Sequence, residues 1–251
     1  MRRLIWADEC AGPAGSPPDP ARWGVRLTDE WQPRDELQAY TDDPANAHYD
    51  GRGHLVLTAI RDSGRGRPGY TSARLSARHA ATPWTFHFGR IAARIKVPTS
   101  IGVWPAWWLL GPDDRYGWPA CGEVDIMEAP SSAGTAGQVH QGTHSPAPGG
   151  GEVSVGVTPS CGAWGADFHV YGVDWTPGRI AFFIDERWTG VVTRADVEAR
   201  GGLWRFDDLP QSLILNVAVG GWARVPDPSW SRQEMLVDWV RVYDRIYDRE
   251  R

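Results

Sequence analysis

Three carboxylates fall within six residues in Gly122-Glu123-Val124-Asp125-Ile126-Met127-Glu128, and every residue between them is apolar. Residues of this type and spacing suit proton transfer, nucleophilic attack or cation binding. A solvated acidic loop would not interleave its charges with Val, Ile and Met. In a β-strand successive side chains alternate between faces, so Glu123 and Asp125 share one face while Val124 points into a core. Glu128 has the wrong parity for that face. One extra residue, a β-bulge at Ile126-Met127, returns it to the side of Glu123. The expectation is three acids on one surface over an apolar underside. The competing reading is an acidic sheet edge that resists aggregation.

Paired carboxyls have a definite chemical use. Retaining glycoside hydrolysis needs two of them about 5–5.5 Å apart, one as nucleophile and one as acid/base. Crowding three carboxylates raises the cost of ionising all of them, so one Glu is expected to stay protonated near neutral pH. Composition points the same way. The chain has 15 Trp against 7 Tyr and 6 Phe, and flat rings suit the C–H faces of sugars. A net charge of −5, with Lys96 the sole lysine, speaks against nucleic acid as a partner. No apolar run is long enough to span a membrane.

The elements that must position these acids read as strands. His54–Ile60, Phe86–Val97, Trp104–Leu110, Gln138–His144, Phe168–Trp175, Arg179–Asp185, Ser212–Val219 and Leu236–Tyr243 have strand composition or alternation. Gly (29) and Pro (20) punctuate them, and only 195–208 has room for a helical turn. Many short strands with turn signals predict an all-β sandwich, jelly roll or barrel, and 251 residues suit a single domain, residues 1–251. In Trp104–Leu110, Trp104, Ala106 and Trp108 share one face, read as a sugar platform; packing of those rings between sheets is the alternative. In Leu236–Tyr243, alternation puts Asp238 beside Leu236, Val240 and Val242, where an acid needs a partner. Cys10, Cys121 and Cys161 allow at most one disulfide.

The chain resembles glycoside hydrolase family 16, and within it bacterial laminarinase-type endo-β-1,3-glucanases. The resemblance rests on Trp6-Ala7-Asp8-Glu9, Tyr70–Arg74, Tyr116–Pro119, Glu123–Glu128, Phe168–Tyr171 with Asp174–Thr176, Asn216–Gly221 and Asp238–Tyr243. It implies a β-jelly roll of two curved antiparallel sheets with a cleft on the concave face. It makes Glu123 the nucleophile, Glu128 the acid/base and Asp125 the residue that positions the nucleophile. It also places Asn46, Arg74, Trp104, Trp108, Trp118 and His144 along the sugar subsites. A structural calcium is a family feature, and Glu9, Asp238 and a backbone carbonyl near Gly53 are its candidate ligands, since hard oxygen donors suit calcium. No cofactor is expected for catalysis.

The implied substrate is a β-1,3-glucan, with another β-glycan, transglycosylation or a silent glucan-binding lectin as alternatives. The chain departs from the family pattern at Cys10, Arg34-Asp35, Ser145-Pro146 and Gly221–Val225. The last three lie in expected cleft loops, so they bear on the choice of glycan. His140 and His144 share strand parity, but no third donor at a useful spacing supports zinc. His144 is expected near Glu128 or the sugar, and His140 to be structural. Met1-Arg2-Arg3-Leu4 opens no signal-peptide core, yet a polymeric substrate favours an extracellular protein. A monomer is expected.

Overall fold

In the computed structural model, residues 2–27, 35–64, 69–132, 138–157 and 167–244 are described. Cys161 and Arg34 lie outside them. The chain begins with β1 (Leu4–Asp8), β2 (Gly24–Val25), β3 (Gln38–Tyr40), β4 (Ala47–Tyr49) and β5 (Leu55–Arg61). There follow β6 (Tyr70–Ser72), β7 (Arg74–Ser76), β8 (Gly89–Lys96), β9 (Val103–Leu110) and a single turn of helix, α1 (Asp113–Tyr116). The middle holds β10 (Glu123–Glu128), β11 (His140–Pro146) and β12 (Glu152–Val157). Last come β13 (His169–Thr176), β14 (Arg179–Ile184), β15 (Arg187–Thr193), α2 (Arg194–Ala199), β16 (Ser212–Val219) and β17 (Arg232–Tyr243).

These strands form two sheets. The larger runs β15-β14-β13-β8-β17-β5-β6-β3, with β1 added to β17 and β4 to β5. The smaller runs β12-β11-β10-β9-β16-β7-β2. Pairing is antiparallel throughout except between β3 and β6. The architecture is the expected all-β sandwich. The helical turn foreseen in 195–208 is α2, nucleated by a capping box in which Thr193 and Asp196 exchange side-chain-to-backbone bonds. Strands β1 to β4, β6, β7, β12 and β15 were not predicted; most are short, although Glu152-Val153-Ser154-Val155-Gly156-Val157 carries a Val alternation that signals a strand.

The core lies between the sheets and takes alternate residues from each. Trp107 and Leu109 of β9, Val124 of β10, and Leu213, Leu215, Val217 and Val219 of β16 are fully buried from one side. Tyr171, Val173, Ile91, Ile95, Val237, Val240 and Val242 meet them from the other. The N-terminal strand is tied down by Asp8, whose carboxylate accepts from Trp23 Nε1 at 2.7 Å, Tyr49 Oη at 3.0 Å and the Cys10 amide at 2.9 Å.

One expectation fails here for a local reason. The pairing of β17 with β8 slips between Val237 and Trp239. That bulge breaks the alternation, so Asp238 does not share the core face with Val240 and Val242. It stays on the outer face with Leu236, and Arg94 Nη1 bonds its Oδ2 at 2.6 Å.

Candidate active site

β10 is a central strand between β9 and β11, so its acids do not guard an edge. Against β9, Asp125 faces Trp108 and Met127 faces Trp107, which leaves Ile126 as the extra residue. Against β11, Asp125 faces Gly142 and Glu128 faces His140, with the same slip. The bulge therefore sits at Ile126-Met127, and both of those side chains are fully buried. Glu123, Asp125 and Glu128 all emerge on the face away from the core, on the floor of a cleft of about 660 Å³.

The cleft crosses the smaller sheet from Arg74 on β7 to Gly156 on β12. At about 4.8 Å between strands, that course is several sugar rings long. Gly142, beside Asp125, faces Gly156 across the β11–β12 pair. A Cβ on Gly156 would stand 2.6 Å from the Gln141 carbonyl oxygen, so the close approach of these strands depends on glycine.

Burial pushes the Glu128 carboxyl well above the usual carboxylate range, and the charges of Asp125 and Glu123 push it further. The charge of His144 partly opposes that rise, as does Trp104 Nε1, which donates to Glu128 Oε1 at 3.0 Å. His144 sits over the other end of the trio. Its Nε2 is 3.1 Å from Asp125 Oδ2 and 3.9 Å from Glu123 Oε1. The approach to Asp125 is off-line for a hydrogen bond and is an ion pair. Nδ1 bonds Glu152 on β12. Burial works against a charged imidazole, but Asp125, Glu123 and Glu152 outweigh it and raise His144 to about 10. His144 thus keeps company with Asp125 and Glu123 more than with Glu128.

The predicted cleft residues are mostly brought together. Trp104 and Trp108 face the cleft, as alternation required, and Trp107 between them is core. Arg74 lays its guanidinium 4.7 Å from the centre of the Trp108 ring. Trp118 stands at the rim, 42% exposed. Asn46 is the exception. It is 1% exposed, its Oδ1 accepts from Thr41 Oγ1 at 2.6 Å, and its Nδ2 donates to the Thr58 carbonyl at 2.9 Å. Both ends of the amide are spent inside the larger sheet, so Asn46 braces β4 and β5 and does not line the cleft.

Other cleft residues were not foreseen. Asn216 accepts from Trp108 Nε1 at 2.7 Å and donates to Tyr40 Oη at 3.1 Å; an amide in the middle of the apolar run Ser212–Val219 was the available signal. Trp222 packs edge-on against Trp104, with ring centres 5.7 Å apart, and lies 4.4 Å from the His140 ring. His140 therefore belongs to the cleft wall, contrary to its expected structural role. Nothing in the local sequence marked Glu152. His169, expected to have a partner, has one in Asp185, at 2.6 Å.

The two candidate calcium carboxylates are engaged elsewhere. Arg241 donates to both carboxylate oxygens of Glu9, at 2.8 and 2.7 Å, and holds that carboxyl below its ordinary range. Asp238 is bonded to Arg94, and Gly53 lies in the turn before β5 at positive φ. Calcium takes six to eight oxygens in a charge-compensated shell, and two carboxylates already neutralised by guanidinium groups do not fit that donor set. Among the described residues, the only cluster of three metal-donor side chains is Glu123, Asp125 and His144, where both imidazole nitrogens already face carboxylates. Cys10 and Cys121 are buried free thiols.

Residues 38–241 match the sequence profile of Glycosyl hydrolases family 16. The chain is 36% identical to a beta-glucanase of Rhodothermus marinus over 260 residues, covering 96% of this chain and 84% of that one. It is 34% identical to glucan endo-1,3-beta-glucosidase A1 of Niallia circulans, covering 90% of this chain and 33% of that longer protein. Its fold superposes on the crystal structure of the laminarinase from Rhodothermus marinus with a TM-score of 0.84 at 33% identity, over 98% of this chain and 99% of that one. The acid-lined cleft is thus set in a chain that belongs to glycosyl hydrolase family 16.

Proposed function

We infer that this protein is an endo-acting hydrolase of β-1,3-glucan that works by double displacement. The observation that carries the reading is the bulged strand. It brings Glu123 and Glu128 to one cleft face and leaves them in unlike surroundings. Glu128 is the acid/base: burial and the neighbouring charges keep its proton on. Glu123, beside the His144 imidazolium, is the nucleophile. In the first step a Glu123 carboxylate oxygen bonds to the anomeric carbon. The glycosidic C–O bond breaks, and Glu128 gives its proton to the departing oxygen. In the second step Glu128, now ionised, takes a proton from water. That water displaces Glu123, which regains its charge.

Asp125 holds the carboxylates in register and pairs with His144. Trp108, Arg74 and Asn216 form one flank of the trough; Trp104, Trp222 and His140 stand by Glu128. A trough that crosses the sheet from β7 to β12 supports cleavage within a chain. The relatives' names and the laminarin-type folds support β-1,3-linked glucose as the substrate.

Laminarin turnover with reducing-end detection is the test. Glu123→Gln and Glu128→Gln are each expected to lower kcat by orders of magnitude with melting temperatures near wild type. Near-normal turnover in either folded variant would overturn the assignment. A parallel panel of laminarin, mixed-linkage glucan and β-galactan should rank laminarin first.

A further inference from the structure

We propose that Glu152 is a positioning residue for the catalytic pair, acting through His144 to keep one of the two glutamates ionised and not the other. The inference rests on the roles given above to Glu123 and Glu128. Glu152 lies on β12, the last strand of the smaller sheet, where its neighbour across the pair is Pro146. Its side chain, 30% exposed, reaches back over the strand to His144 Nδ1. On the opposite side of the ring, Nε2 faces Asp125 Oδ2 at 3.1 Å.

An ionised carboxylate only accepts hydrogen bonds, and a neutral imidazole has one donor nitrogen and one acceptor. Nδ1 bonds Glu152. Nε2 lies 3.1 Å from an Asp125 oxygen that accepts no hydrogen bond, where a protonated nitrogen makes an ion pair and a bare lone pair would face a carboxylate. The geometry therefore makes His144 an imidazolium, in agreement with the strong upward shift of its proton affinity.

The charged groups around that ring come from two strands. From β10 it faces Asp125 and Glu123, with Glu128 farther along; from β12 it faces Glu152; the Trp118 ring lies 6.1 Å from it. The cation is close to Glu123, at 3.9 Å. Glu128 is displaced along β10 by the bulge and pairs in register with His140 instead of His144. Two glutamates on one strand are thereby made unlike. The imidazolium stands 3.9 Å from Glu123; its charge also reaches Glu128, but there burial and the charges of Asp125 and Glu123 outweigh it. Glu152 completes the arrangement: without it, Nδ1 has no carboxylate, and the ring can give up a proton or turn.

The test joins a spectroscopic and a kinetic reading of Glu152→Gln and Glu152→Asp. Nitrogen NMR of the imidazoles, with the His144 signal assigned by its loss in His144→Gln, should show wild-type His144 doubly protonated through neutral pH. In Glu152→Gln its midpoint should fall by about one pH unit or more, the equivalent of one lost charge-assisted partner. With laminarin, kcat should fall by about tenfold, the rate equivalent of such a bond, while KM holds. The acidic limb of the profile should move to higher pH. Glu152→Asp should recover part of both readings. The proposal is overturned by a wild-type His144 that titrates like an ordinary histidine, or by a folded Glu152→Gln with unchanged midpoint and profile. If Glu152→Gln does not fold, the wild-type titration and Glu152→Asp still decide. Failure of the Glu123 and Glu128 roles would show separately, as activity retained in their Gln variants.

Discussion

Replacing Trp104 with Phe isolates one contact to the acid/base. The indole Nε1 donates to Glu128 Oε1 at 3.0 Å. Phe keeps an aromatic face toward the sugar and removes only the donor. The bond exists whether or not Glu128 carries its proton, but it is stronger to the ionised form. A hydrogen bond to a charged group contributes about 1.5–3 kcal/mol and one between neutral groups about 0.5–1.5, a difference of about 1 kcal/mol. One pH unit corresponds to about 1.36 kcal/mol, so the Glu128 midpoint should rise by about 0.7 pH unit. The sign follows from the surroundings: burial, Asp125 and Glu123 raise Glu128, and the Trp104 bond is among the contacts that lower it. The basic limb of kcat/KM against pH, which reports loss of the acid's proton in the free enzyme, should move to higher pH by that amount. The acidic limb should stay. Trp108→Phe is the control, because its Nε1 bonds Asn216 and not Glu128, so its basic limb should not move. A basic limb that stays put or falls in Trp104→Phe would refute the placement of the proton on Glu128. Stability follows the same sign. A carboxyl raised in the folded chain costs stability as pH climbs past the ordinary value of 4.5, and Trp104→Phe should enlarge that cost.

Two further outcomes follow from contacts outside the acid trio. Because Glu9 and Asp238 are held by Arg241 and Arg94, a chelator should leave the melting temperature unchanged, measured by calorimetry in calcium-free buffer. A chelator-dependent fall, abolished in Asp238→Ala, would restore a cation to that face. Burial pushes the Cys121 thiol up to about 12, aided by Asp113 and Glu123, and pushes Cys10 up as well. Thiolate reagents, followed by peptide mass mapping, should therefore spare both in the native protein and label both in guanidinium chloride. Native labelling of either would show that its pocket opens.

The acidic strand was legible because everything it needed is local. The spacing of Glu123, Asp125 and Glu128 against Val124, Ile126 and Met127 encodes both alternation and the extra residue. The same rule separated Trp104 and Trp108 from Trp107. It failed at Asp238, where the bulge in β17 is recorded only in its pairing with β8. It also could not foresee Asn46, a polar residue whose partners Thr58 and Thr71 lie on strands 12 and 25 residues away. The relation of Glu9 to Arg241 spans 232 residues, and no window of sequence reports it.

By itself, then, the sequence determined which atoms could do the chemistry and which face they occupy, since side-chain direction along a strand follows from a period of two. Tertiary structure decided which carboxylates remain available. It gave Glu9 and Asp238 to arginines, turned Asn46 inward, and set Trp104 beside Glu128. It also brought β12 alongside β11 so that Glu152 meets His144. Charge state depends on neighbours and burial, and in a sheet the neighbours are strands distant in sequence.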